Sequence, residues 1–153
     1  SNKKFAQEEL TDAYTVYYTN AEVNKRNEEN MEKFEGEVIY TCGKIGYKKN
    51  CPIYITNAQG VLCNGMIGFL RNKVDKTLFI EVEGQTHEVK PNKIDFVPGF
   101  AMTIHKCQSK TFPGVNIYLS KNSIIKERSK LIRLVYVALT RVRHFDRCYI
   151  YLF

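Results

Sequence analysis

The sequence has no tryptophan, no Cys-x-x-Cys pair, no long apolar run and almost no acid in its last third. Each absence excludes something. No run approaches the ~18–20 apolar residues that cross a bilayer as a helix, which argues against a membrane span. The opening Ser-Asn-Lys-Lys carries neither an initiator Met nor a signal-peptide pattern. It reads as an internal boundary, so the chain is expected to be a fragment. Cys42, Cys51, Cys63, Cys107 and Cys148 are odd in number and widely spaced. A tetrahedral zinc site usually draws two ligands from one tight turn. No metal site is therefore assigned, and the cysteines read as reduced thiols of an intracellular protein.

Nucleotide-hydrolysing machinery is also missing. A phosphate-binding loop needs G-x-x-x-x-G-K-[ST]. Gly60 and Gly65 have the glycine spacing, but Met66 and Ile67 follow instead of Lys and Ser/Thr. No Asp-Glu pair on a strand is evident for Mg²⁺. There is no Gly-x-Ser-x-Gly nucleophile elbow, and His87, His105 and His144 are scattered. A self-contained NTPase and a serine hydrolase are both disfavoured.

What is present fits 153 residues folded as one compact domain, or one domain with a small insertion. Nine Phe and ten Tyr can build a core without Trp. The net charge of +7 is unevenly spread. Acids crowd the first forty residues, including Glu28, Glu29 and Glu32, which read as a solvated helix face. From Phe100 onward only Glu127 and Asp146 are acidic, against ten Lys and Arg from Lys106 to Arg147. A basic half suits a polyanionic partner, nucleic acid or nucleotide phosphate.

Periodicity divides the chain in three. "YTVYYTN" has strand composition, and Thr19 with Glu22 has capping-box spacing, which predicts a helix over about 20–34. A strand feeding a helix is the unit of an α/β sheet. Residues 36–98 hold short strand-like runs separated by Gly43, Gly46, Asn64-Gly65, Gly84 and Pro91-Asn92. That pattern predicts a small antiparallel β-barrel inserted into the α/β unit. After Gly99, "FAMTIHKCQ" predicts a helix, "VNIYL" a strand, "NSIIKERS" a polar connection and "CYIYLF" a last strand. Between the last two, "KLIRLVYVALTR" predicts a helix with Leu131, Leu134, Val135 and Ala138 on one face. Ile132, Tyr136 and Leu139 fill a second face, so this helix is expected to be largely buried.

Two stretches combine hydroxyls, bases and an imidazole in a way core packing does not require: "AMTIHKCQSKTF" and "VYVALTRVR". Together they resemble motifs V and VI of superfamily 1 helicases, best those of the 1B branch of RecD, Dda and the PIF-type enzymes. "YYTNAEVNKRNEEN" resembles the strand–helix entry to the second RecA-like domain of that branch. "CNGMIGFL" resembles a hairpin in the barrel inserted ahead of motif V.

The resemblance implies a discontinuous RecA-like domain, residues 1–35 and 99–153, around an inserted barrel at 36–98. Within it, Thr19, Asn20, Thr103, His105 and Lys106 would hold the sugar-phosphate backbone of a strand. Hydroxyls, imidazoles and amides at helix starts suit that contact because they grip phosphate without reading bases. Gln108 and Thr111 would lie on the ATP side. Arg141 would be the arginine finger, since its planar, permanently charged fork stabilises spread phosphoryl charge. ATP and Mg²⁺ would be held mainly by an N-terminal RecA-like domain of the same protein. Ser109 and Val142 stand where the family more often has Gly and Ala. The implied function is that of a C-terminal motor domain of an ATP-dependent helicase, translocating 5′ to 3′ on DNA. A passive nucleic-acid-binding module and a viral RNA helicase of the same superfamily are the alternatives.

Overall fold

A computed structural model describes residues 14–107, 114–141 and 148–153. The chain divides into two compact units, one of Ser1–Lys25 with Ala101–Phe153, the other of Arg26–Phe100.

The first unit is built on a four-stranded sheet. Its strands are β1 (Tyr14–Tyr17), β9 (Ala101–Thr103), β10 (Val115–Leu119) and β11 (Cys148–Leu152), in the order β11-β10-β1-β9. Every neighbouring pair is parallel. Consecutive residues are buried in β1 (Thr15, Val16, Tyr17), in β9 (Ala101, Met102, Thr103) and in β10 (Val115, Asn116, Ile117). Burial without alternation is what a parallel sheet shielded on both faces requires. Helix α1 (Asn20–Lys33) follows β1, the short helix α2 (Ile104–Cys107) follows β9, and α3 (Lys121–Thr140) joins β10 to β11.

The α/β expectation holds, with two local corrections. "FAMTIHKCQ" is not one helix: Ala101–Thr103 add a strand beside β1, and helix begins only at Ile104. Three consecutive buried residues next to a strand edge outweigh their weak helical pattern. The stretch 122–129 is not a loose connection either. It forms the first half of α3, capped by Ser120, whose Oγ accepts from Ser123 N at 3.1 Å. Glu127, with φ −135° and ψ 40°, kinks the helix there.

The predicted burial of α3 also needs correction. Leu131, Leu134 and Ala138 are buried, but Ile132 is 59% and Tyr136 68% exposed. The helix is amphipathic and shows one apolar stripe inward.

The second unit contains the antiparallel strands. β2 (Val38–Cys42) and β3 (Ile45–Lys48) form a two-stranded ribbon. β4 (Cys51–Ala58), β5 (Ile67–Val74), β6 (Thr77–Val82), β7 (Gln85–Val89) and β8 (Ile94–Pro98) form a sheet of order β7-β6-β5-β4-β8. Inward residues alternate strictly: Cys51, Ile53 and Ile55 on β4, and Leu78, Ile80 and Val82 on β6. They join Tyr47, Leu70, Ile94 and Met31 in one apolar cluster. Among the described residues, no ladder joins the ribbon to the sheet or closes the sheet on itself. Strand β3 falls where glycines 43 and 46 read as turn punctuation. The β6–β7 turn is carried by Glu83 (φ 52°) and Gly84 (φ 79°), the paired positive φ values of a tight hairpin.

Candidate nucleic-acid and nucleotide site

Parallel register brings the predicted strand-gripping residues together. Tyr17 ends β1 and stands opposite Thr103, the last residue of β9. The two strand-to-helix turns, Tyr18-Thr19-Asn20 and Thr103-Ile104-His105, therefore leave the same edge of the sheet side by side. In open parallel sheets this carboxyl edge is where ligands bind.

Each turn is fixed by its own threonine. Thr19 Oγ1 accepts from Glu22 N at 3.2 Å, which caps α1. Thr103 Oγ1 accepts from Lys106 N at 3.4 Å. Thr103 is only 6% exposed, so its hydroxyl sets the turn and keeps its own proton to donate. Asn20, His105 and Lys106 are exposed at the edge, and Thr19 is half-buried. The His105 ring lies 5.8 Å from that of Tyr18, tilted by 30°. Tyr18 is buried and holds the imidazole from behind. Sequence reasoning passed over Tyr18; the signal was an aromatic directly after Tyr17, the last paired residue of β1.

Behind the edge runs a cross-strand aromatic row. Tyr17 stacks on Tyr118 at 4.9 Å, and Tyr118 on Tyr151 at 4.7 Å. Register makes the row continuous, because Tyr17 pairs with Tyr118 and Tyr118 with Tyr151. Such stacks add about 0.5–1.5 kcal/mol each beyond burial. The row stiffens the strands that present the turns. Two residues before Tyr118 on the same strand, Asn116 is 1% exposed, and neither its Oδ1 nor its Nδ2 has a partner among the described residues.

Arg141 is the C-cap of α3. Its backbone N–H donates to Ala138 O at 3.1 Å, and the residue is exposed. The backbone closes the helix without help from the guanidinium. Helix α3 packs against α2, so the helix ending in Arg141 and the turn bearing His105 belong to one packed pair. Gln108 and Thr111 lie outside the described residues. A groove of about 480 Å³ on α3 is lined mostly by apolar side chains such as Leu131, Ile132 and Val135, with Arg128 and Tyr136 among them. No helix among the described residues is long and apolar enough to cross a membrane.

Comparison with known proteins agrees with this fold. The sequence model of one family, described as the viral superfamily 1 RNA helicase core domain, matches residues 12–152. A search of curated proteins finds no match. Among solved structures, the fold is similar to Pif1 helicase from Candida albicans (TM-score 0.68, 15% identity, covering 98% of this chain and 49% of that one). It is also similar to Pif1 from Bacteroides in complex with ADP-AlF3 and single-stranded DNA (TM-score 0.66, 17% identity, 94% and 41%). A third is a structure of two Pif1 helicases at forked double-stranded DNA (TM-score 0.66, 16% identity, 97% and 42%). The chain thus spans less than half the length of these structures. With nearly all of its sequence inside the family match, the chain belongs to the superfamily 1 helicases, in the family of the viral superfamily 1 RNA helicase core domain.

Proposed function

We propose that this chain is the C-terminal motor domain of an ATP-dependent helicase that moves along single-stranded nucleic acid and separates strands. In this reading residues 1–35 and 99–153 form the RecA-like part and residues 36–98 an insertion. One observation carries the proposal: the register of β1 with β9 sets two threonine-fixed turns at one carboxyl edge, in a unit whose following helix ends in an exposed arginine. Asn20, His105 and Lys106 would contact phosphates of the strand. Thr19 and Thr103 would hold the turns, with the Thr103 hydroxyl proton directed to a phosphate oxygen. None of these groups reads base identity, which suits a protein that must move over any sequence.

Arg141 would supply positive charge to the terminal phosphate of ATP. It fits that role because it is exposed and its helix does not need its side chain. ATP hydrolysis supplies the free energy for movement. ATP and Mg²⁺ would be held mainly by an N-terminal RecA-like domain, with Gln108 and Thr111 contributing from this chain.

DNA is the preferred substrate reading, supported by the likeness to Pif1 structures with forked and single-stranded DNA; 5′ to 3′ movement rests on the motif resemblance alone. RNA is the second reading, and the matched family favours it. Anisotropy of labelled single strands with this 153-residue chain tests the grip. Binding should be sequence-tolerant and weaken steeply with salt, as phosphate contacts release counterions. His105→Ala should lower affinity several-fold on every sequence. Salt-insensitive binding, or strong preference for one sequence, would contradict the backbone grip. Equal-length DNA and RNA strands, compared at one salt concentration, decide between the two substrates.

A further inference from the structure

The antiparallel unit carries a cleft of about 430 Å³ that the motor reading leaves unused. Its lining is Tyr40, Lys73, Lys76, Lys90, Pro91 and Asn92, with three lysines and no carboxylate. All three lysines are exposed, and none is ion-paired among the described residues. By contrast, Arg71, two residues before Lys73 on β5, is neutralised by Glu81 at 2.9 Å. Two of the cleft lysines are also oriented. Lys73 Nζ sits over the Tyr40 ring, 5.9 Å from its centroid. Lys90 Nζ donates to Thr77 Oγ1 at 2.7 Å. The Tyr40 ring is held in turn by Tyr47 at 5.9 Å and Phe96 at 5.8 Å. Asp95 is near enough to act on the Tyr40 hydroxyl, but it does not line the cleft.

Unpaired like charges held together repel one another, and an anion relieves that repulsion. Three ammoniums, two of them oriented, around one aromatic ring and a proline match a repeating phosphate with flat apolar groups between. A single-stranded nucleic acid has that chemistry: phosphates for the lysines, a base face for Tyr40. A duplex exposes phosphates but keeps its base faces stacked, so it would leave the ring unused.

We infer that this cleft is a second single-strand contact, borne by the antiparallel unit and separate from the turns at the edge of the parallel sheet. The inference goes beyond the motor reading, and its test is independent of it. The 153-residue chain is titrated against a labelled twelve-nucleotide oligothymidylate across a salt series. The variant K73E/K76E/K90E is expected to lose at least tenfold in affinity. Its salt slope should fall by about two, from roughly 0.7 per phosphate contact removed. The control K44E/K121E/K126E makes the same charge change on exposed lysines elsewhere and should lose threefold or less. Tyr40→Leu keeps an apolar side chain and should still cost fivefold or more on the single strand, with little change on a duplex of equal length. Thermal melts check that each variant is folded.

Equal losses in the cleft variant and the control would overturn the site. So would binding of a polyglutamate peptide with the same affinity and the same sensitivity to the cleft variant. Loss in His105→Ala with none in the cleft variant would overturn the cleft and leave the motor reading standing. Loss in the cleft variant alone would do the reverse.

Discussion

Arg141, Asn116 and Cys51 show what individual side chains decide. Arg141 closes α3 through its backbone, so its exposed guanidinium is spare for a ligand. Asn116 is the opposite case: a buried amide in β10 with no hydrogen-bond partner among the described residues. Leaving such a group unsatisfied costs about 1–3 kcal/mol. Asn116→Val fits the strand, removes the orphan atoms and is expected to stabilise the fold by about 1 kcal/mol. A thermal melt should show a rise of about 2–4 °C; a fall would mean that the amide has a structural task. Cys51 is fully buried, and burial pushes its thiol up to about 11 from 9.0. Above pH 9 the unfolded chain loses that proton while the folded chain keeps it, so Cys51 makes stability decline as pH rises from 9 to about 11. The same burial protects it. At pH 8 a thiol reagent should label the exposed Cys42 and Cys63 quickly, with Cys51 and Cys107 reacting only on unfolding. Fast labelling of all five would contradict the packing described here.

At the scale of elements, contact geometry matters as much as composition. Gly99 follows β8, and a Cβ there would stand 2.6 Å from the carbonyl carbon of Ile53 and 2.9 Å from its nitrogen. Its N–H donates to Pro52 O at 2.9 Å, which holds the chain against β4. Gly99→Ala must therefore push two backbones apart, a change expected to cost about 1–3 kcal/mol. The midpoint of chemical denaturation should fall accordingly, and an unchanged midpoint would refute the close approach. Elements were legible in the sequence where pattern and environment agree. Alternation exposed β4 and β6, Thr19 with Glu22 marked the start of α1, and the 131, 134, 138 spacing marked the inner face of α3. They were illegible where tertiary pairing decides. Ala101–Thr103 form a strand only because β1 lies alongside. Residues 122–129 look polar because they are the solvated turns of a helix capped by Ser120. β3 was hidden by Gly43 and Gly46, although Gly46 pairs within the ribbon. The exposure of Ile132 and Tyr136 could not be read at all, since periodicity ranks faces but does not say what covers the second.

For the whole molecule, the candidate site was legible as residue types and illegible as geometry. Thr103, His105 and Arg141 stood out because their chemistry exceeds what packing needs. The sequence did not reveal that β1 and β9 are neighbours, that Tyr18 backs His105, or that the Thr103 hydroxyl oxygen accepts from Lys106 N. Nor did it point to the lysine cleft, whose residues come from β2, β5, the turn after β5 and the turn after β7. The basic charge of the chain, +7, belongs to this scale as well, since it attracts any polyanion and must be separated from specific grip by salt titration.

If this chain is half of an ATP-driven motor, as proposed, steady-state ATPase of the full-length protein at saturating single strand should separate wild type from Arg141→Ala. Turnover is expected to fall roughly 10³–10⁵-fold, with nucleotide affinity and nucleotide-free strand binding nearly unchanged. Arg141→Lys should rescue poorly, because a point charge does not reproduce the planar fork. Turnover near the wild-type level in Arg141→Ala would rule out the motor role and leave Arg141 as no more than a helix-end arginine.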